Sequence, residues 1–179
     1  KGSTMEGGMR VPMIARWPGT IAVGSTCSAL TTTMDFLPTF CGLAGAELPR
    51  KKIDGHDIRP LLLGEADAKS PNEVLYFYRR RQLQAVRWGD WKLHLALDNT
   101  HPNWASPKPT GKGRPAKLVN LKSDLKETTD VSAENPAVMQ RMQELIIKAQ
   151  SELGDDDQRG SGQRDAKTLD SSKPMLLLK

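Results

Sequence analysis

From residue 74 to residue 97 the side chains follow a period of two, which fits extended strands rather than helices. The pair Gly89-Asp90 interrupts this pattern, and such a two-residue loop between two runs predicts a β-hairpin. In the run after the turn, large apolar residues on one side predict a face against a core. Lys92 and His94 lie on the other side, which is predicted to be wet or covered by loops.

Two further segments complete this predicted unit. Residues 117–121 predict a fourth strand, and Asn135 followed by Pro136 predicts the start of a helix that ends at Gly154. Apolar residues recur on one face of this helix: Val138, Met142, Leu145, Ile146, Ala149 and Leu153. We therefore expect the helix to pack across a four-stranded antiparallel sheet, since either element alone would leave an apolar face in water.

The first seventy residues predict one strand and one longer helix. Residues 11–16 are a short apolar run that ends at a Trp-Pro-Gly turn, which predicts a buried strand. Thr33 predicts the N-cap of a helix over residues 34–44 that ends at Gly45. The residues expected to pack from this helix are Phe36, Leu37, Phe40, Leu43 and Ala44. Asp57 is predicted to cap a single helical turn through residue 63.

Two polar segments show no periodicity. Residues 98–117 contain four prolines and two glycines and predict a long surface loop, in which Trp104 is hard to explain as filler. Two interpretations stay open: a loop that helps to select a substrate, and a disordered loop. Residues 155–179 are polar and predict a tail that is disordered or draped over the surface.

The first twelve residues combine a cation with a constrained backbone. Gly2 lets the chain turn tightly behind Lys1, so that a ligand can approach the ammonium group. A lysine on such a loop suits neutralisation of an anionic oxygen of a sulfate or phosphate ester. Gly7 and Gly8 are expected to adopt backbone dihedrals that a side chain would forbid. Glu6 and Arg10, on either side of this pair, are expected to form an ion pair that braces the loop. The alternative is a solvated lysine before a glycine-rich turn.

The motif Lys-Gly-x-Thr-x-Glu-Gly-Gly-x-Arg-Val-Pro in residues 1–12 resembles a segment of the sulfatase family, of the arylsulfatase and N-acetylgalactosamine-6-sulfatase type. Further segments resemble family landmarks in family order: residues 33–40, 43–45, 53–62, 85–93 and 120–127. The resemblance covers residues 1–154 and identifies the chain as similar to the carboxy-terminal portion of these enzymes. It implies that Lys1 binds the sulfate group and stabilises the departing ester oxygen.

The resemblance also implies the fold class and the domains. The chain is expected to be an α+β fragment of the α/β, alkaline-phosphatase-like sulfatase fold. Residues 1–70 would end the catalytic domain with one strand and one helix of its large central sheet. Residues 71–154 would form a subdomain of four antiparallel strands and a helix, and residues 155–179 a polar tail.

Other parts of the family's catalytic site are expected upstream of this chain. The family nucleophile is a formylglycine made from Cys or Ser in a Cys/Ser-x-Pro-x-Arg motif, and neither Cys27 nor Cys41 lies in such a motif. We therefore expect formylglycine and Ca²⁺ in the full-length parent, no metal or cofactor in this chain, and no activity of this chain alone. The partners implied are the missing amino-terminal half and a sulfated small molecule or glycan.

Composition limits the other function classes. The net charge of +5 is spread thinly, no nucleic-acid-binding signature accompanies it, and no apolar run approaches membrane-spanning length. We therefore expect neither a nucleic-acid nor a membrane partner. His56 between two aspartates favours local hydrogen bonding over a metal site, and His94 either lines a substrate cleft or is solvated or hydrogen-bonded. The alternatives are a phosphoryl-transfer relative, a carbohydrate-binding module that uses Trp104, and a truncation product without an independent role.

Overall fold

The computed structural model describes residues 2–98, 113–156 and 158–165. Its helices are α1 (Glu6–Met9), a 3₁₀ turn (Thr33–Asp35), α2 (Phe36–Ala44), α3 (Arg59–Leu63) and α4 (Pro136–Leu153). Its strands are β1 (Val74–Arg79), β2 (Gln82–Trp88), β3 (Trp91–His94), β4 (Lys117–Asn120), β5 (Gly154–Asp155) and β6 (Gln158–Arg159). None of the helices in these ranges is long and apolar enough to cross a membrane.

The first four strands form one antiparallel sheet in the order β1-β2-β3-β4. The predicted hairpin is confirmed, because Trp88 pairs with Trp91 across the Gly89-Asp90 turn. Gly89 has φ 57°, a left-handed conformation that glycine adopts without steric cost. The predicted fourth strand is confirmed as β4, at the edge of the sheet beside β3.

Helix α4 covers one face of this sheet, as predicted. It begins after Asn135 with Pro136 at its first turn and ends before Gly154. A buried apolar core lies between the helix and the sheet, and its members are Leu83, Val86, Leu93, Leu118, Met142, Leu145, Ile146 and Ala149. The core joins residues of three strands to one helix. The apolar contacts that stabilise this unit are therefore made between residues far apart in sequence.

Helix α2 is confirmed, but the way it packs differs from the prediction. The capping box lies at Thr32, one residue earlier than predicted, and uses Asp35, while Gly45 ends the helix with φ 64°. The expected apolar stripe is largely exposed, with Leu37 at 48% and Phe40 at 58%, because no described element of the chain packs on that side.

The strand predicted for residues 11–16 is wrong. This segment has no regular secondary structure, and Ile14 is 94% exposed. A strand needs a neighbour to pair its backbone groups, and none of the described strands runs beside this segment. Residues 9–48 expose eleven large apolar side chains, which are together called the apolar surface: Met9, Val11, Met13, Ile14, Trp17, Val23, Met34, Leu37, Phe40, Leu43 and Leu48.

The described part of the polar tail is structured and lies against the sheet, which agrees with a tail draped over the surface rather than with a disordered one. Strands β5 and β6 pair as a small hairpin beside the end of α4. The Tyr78 hydroxyl donates to the Gly154 carbonyl at 2.8 Å, and the Leu83 amide donates to the Asp155 carboxylate at 2.9 Å. These bonds tie the start of the tail to β1 and β2. Residues 166–179 lie outside the described part.

Candidate functional site

A buried lysine lies on the sheet face opposite α4. Lys92 of β3 has no solvent exposure, and its Nζ lies 2.8 Å from Oε1 of Glu6 and 2.9 Å from Oε1 of Glu127. The same Nζ lies 4.4 Å from the centroid of the Phe77 ring. Two carboxylates and an aromatic face therefore compensate the charge that burial would otherwise make costly.

Glu127 joins three parts of the chain. Its Oε2 accepts a hydrogen bond from the Glu6 amide at 2.7 Å, while its Oε1 receives Lys92 and lies 2.7 Å from Nε2 of His94. Burial on its own raises the pKa of Glu127, but these hydrogen bonds, the one from Lys92 first, hold it below its ordinary value. Glu127 has φ 56°, an uncommon conformation for a residue with a side chain, and these contacts hold it there.

His94 is hydrogen-bonded rather than solvated. It is 2% exposed, and burial lowers its pKa more than the neighbouring carboxylate of Glu127 raises it. A neutral ring that donates from Nε2 to Glu127 satisfies this geometry. Within the described part of the chain, its Nδ1 has no hydrogen-bond partner. The face carrying Lys92 and His94 is covered rather than wet, and His94 is hydrogen-bonded on it. The interpretation of His94 as a residue that lines a substrate cleft stays a prediction.

Residues 3–9 are the segment that covers this face. Glu6 contributes its carboxylate to Lys92 and its amide to Glu127, and it lies 3.6 Å from Nη1 of Arg87. Thr4 is 3% exposed, and its hydroxyl lies 3.4 Å from Oε1 of Gln84 on β2. Polar contacts to β2, β3 and Glu127 thus attach this segment to the sheet.

The predicted bracing of the glycine-rich loop needs two corrections. The carboxylate of Glu6 turns toward the sheet and binds Lys92, while Arg10 is exposed, so the expected Glu6–Arg10 ion pair is wrong. Gly7 and Gly8 lie inside α1 without positive φ, so the expected glycine-only dihedrals are also wrong. Gly8 is required for a different reason: a Cβ there would lie 2.4 Å from the Ser3 carbonyl oxygen.

The described residues do not provide a divalent-metal site. No group of three or more His, Cys, Asp or Glu side chains in these ranges is arranged to hold a metal ion. Glu6, Glu127 and His94 converge, but the Lys92 ammonium already lies between the two carboxylates. A second cation would be repelled there, so a Ca²⁺ ion does not fit this cluster.

His56 shows the local hydrogen bonding that its sequence context favoured. Its amide donates to Oδ1 of Asp35 at 2.8 Å, and Oδ2 of the same carboxylate accepts from Thr32 and Asn72. The His56 ring is half exposed, with Nδ1 3.9 Å from Asp35. Asp35 therefore acts as a structural hub that joins the start of α2 to the loop before α3.

Two family models match this chain, and each spans more than half of it. The C-terminal region of aryl-sulfatase matches residues 70–172, and the C-terminal region of N-sulphoglucosamine sulphohydrolase matches residues 1–96. The chain belongs to the sulfatase family. This result confirms the family resemblance and the interpretation of the sequence as a carboxy-terminal sulfatase region.

Individual sulfatases give the same result. Arylsulfatase A of Homo sapiens is 37% identical over 167 residues, which cover 84% of this chain and 32% of that protein. N-acetylgalactosamine-6-sulfatase of Mus musculus is 42% identical over 96 residues, covering 53% and 18% respectively. The crystal structure of PsFucS1 sulfatase from Pseudoalteromonas sp. superposes with a TM-score of 0.67 at 30% identity, covering 83% and 31%. The chain thus spans about a third or less of these sulfatases.

The sequence-predicted site residues have different outcomes. Lys1 and Trp104 lie outside the described residues, whereas His94 is buried in the charged cluster. Sequence reasoning included Glu6 but missed Lys92 and Glu127. The sequence does place Lys92 on a strand between apolar neighbours, which could have indicated a buried charge. It could not identify Glu6 and Glu127 as the partners, because both are distant from Lys92 in sequence.

Proposed function

We propose that this chain is the carboxy-terminal part of a sulfatase that hydrolyses sulfate monoesters, and that it supplies a sulfate-binding lysine and part of the substrate pocket wall. The lysine is Lys1. The observation that carries this proposal is the attachment of residues 3–9, which begin two positions after Lys1, to the sheet by buried charges of Glu6, Lys92 and Glu127. A catalytic cation needs a fixed position, and a buried ionic anchor on the segment that follows it in sequence supports such a role.

Hydrolysis of a sulfate monoester breaks the bond between sulfur and the ester oxygen and leaves negative charge on that oxygen. The ammonium group of Lys1 stabilises this charge and contacts the sulfate oxygens. Formylglycine and Ca²⁺, which the family resemblance implies for the full-length parent, would supply the nucleophile and a binding site for the sulfate. The described residues fit neither group, so both are assigned to the part of the parent that precedes this chain.

The partner that completes the site is the amino-terminal half of the catalytic domain. The apolar surface in residues 9–48 supports this assignment, because apolar side chains such as Phe40 and Ile14 are otherwise exposed to water. The matched sulfatases are about three times longer than this chain, which leaves room for such a half. The proposed substrate class is a sulfated small molecule or glycan, which the names of the matched sulfatases support.

The test uses this chain joined to its upstream sequence, with release of sulfate from an aryl sulfate as the assay. Lys1→Ala is expected to lower kcat by about 100- to 1,000-fold, the usual cost of removing one transition-state donor. Lys122→Ala is the matched control, because Lys122 is an exposed turn residue that forms no ion pair with Glu6 or Glu127. Unchanged turnover by Lys1→Ala would remove Lys1 from the mechanism. Faster hydrolysis of the phosphate than of the sulfate ester would favour a phosphoryl-transfer relative.

A further inference from the structure

We infer that Lys92 is a positioning residue for Lys1, acting through Glu6. This inference rests on the proposed function of Lys1. The ammonium of Lys92 joins Glu6, which follows Lys1 by five residues, to Glu127, which follows strand β4. The contact between Lys92 and Glu6 spans 86 residues of sequence, so it fixes the start of the chain to the middle of the sheet.

Stability alone does not explain a charge at this position. Replacement of buried ion pairs by apolar residues of similar size is often neutral or stabilising, because both charges must lose their water. An ion pair does fix the positions of the two groups that form it. Here the pair with Lys92 fixes the carboxylate of Glu6, within residues 3–9. The buried ion pair is one unfavourable feature that the fold retains at this cluster. The left-handed backbone conformation of Glu127, with φ 56°, is a second.

The anchored segment depends on this cluster for its position. Its buried side chains are polar, Thr4 and Glu6, and neither belongs to the apolar core under α4. The chain that follows, residues 11–30, has no helix or strand. Loss of the Lys92 charge therefore releases residues 3–9, while the core on the opposite sheet face keeps its packing.

The test is a double-mutant cycle on the chain joined to its upstream sequence, with kcat and KM measured on an aryl sulfate. Lys92→Met keeps the length of the side chain and removes its charge. We expect it to lower kcat by about 10- to 100-fold when Lys1 is present, since a displacement of about 1 Å has effects of this size. In the Lys1→Ala background the same change is expected to alter kcat less than about twofold, because coupled residues are not additive.

Two further variants separate the possible outcomes. Lys122→Met, which removes an exposed lysine, is the matched control and should leave kcat unchanged in both backgrounds. If Lys92→Met does not fold, Glu6→Gln enters the same cycle, because it keeps the side-chain shape and weakens the same bond. Equal effects with and without Lys1, or a change in KM alone, would overturn the positioning role. An unchanged kcat for Lys1→Ala alone would instead overturn the proposed function.

Discussion

The two faces of the four-stranded sheet are buried in different ways. The face under α4 is apolar, with residues such as Val86 and Leu118 packed against Met142 and Leu145. The opposite face carries Lys92 and His94, which are buried just as deeply but contact the carboxylates of Glu6 and Glu127.

This difference separates two physical roles. Apolar contacts are non-directional, so the α4 face stabilises the unit without fixing single atoms. Ion pairs and hydrogen bonds depend on distance and angle, so the charged face determines where residues 3–9 lie. One sheet thus provides stability on one side and anchors residues 3–9 on the other.

The largest expected effect on stability comes from the charged face, where the effects of two substitutions should depend on each other. Glu127→Gln is expected to lower the free energy of unfolding by about 3–5 kcal/mol, because it leaves a buried ammonium with one carboxylate fewer. In the double variant with Lys92→Met, the loss should be smaller than the sum of the two single losses, because the contact between Lys92 and Glu127 is lost only once. Urea denaturation of the single and double variants measures both free energies.

The apolar face supplies the control for this prediction. Leu145→Ala is expected to cost about 2–5 kcal/mol, the range for a large-to-small core change. Adding Met142→Ala on the same face should increase the loss, because no charge is left to be neutralised. If the losses of unfolding free energy from Glu127→Gln and Lys92→Met also add up fully in the double variant, the two faces do not differ in their energetic coupling.

A smaller effect follows from the pKa of His94, which burial lowers below its ordinary value of 6.5. As pH falls below 6.5, the unfolded chain takes up a proton that the folded chain does not, so stability decreases with falling pH. His94→Gln keeps a donor for Glu127 and should flatten this slope between pH 7.5 and 5 in urea denaturation. His56→Gln, at a half-exposed ring, is the control. An unchanged slope in His94→Gln would show that the buried ring contributes no pH dependence.

The sequence predicts the features that depend on local signals. The Gly89-Asp90 turn and the boundaries of α4 were predictable, because the residues that specify them are neighbours in sequence. The charged cluster was not, because Lys92 meets Glu6 and Glu127 only once the sheet has formed. The period of two places Lys92 on a face but does not identify its partners.

The misplaced predictions have a common physical cause. The pattern in residues 11–16 and the stripe on α2 are those of buried elements, yet both are exposed in the part of the chain that the structure describes. A hydrophobic pattern reports that a surface is suited to burial, but it does not show which surface covers it. The proposed amino-terminal half would supply that cover.

The central claim is that the charged face holds residues 3–9 in place, and hydrogen exchange of the Glu6 amide tests it most directly. In the chain joined to its upstream sequence, this amide donates to Glu127 and should exchange at least about 100-fold more slowly in the unmodified protein than in Lys92→Met. Amides of β2 and β3 should change much less. Equal exchange of the Glu6 amide in both proteins would contradict the account.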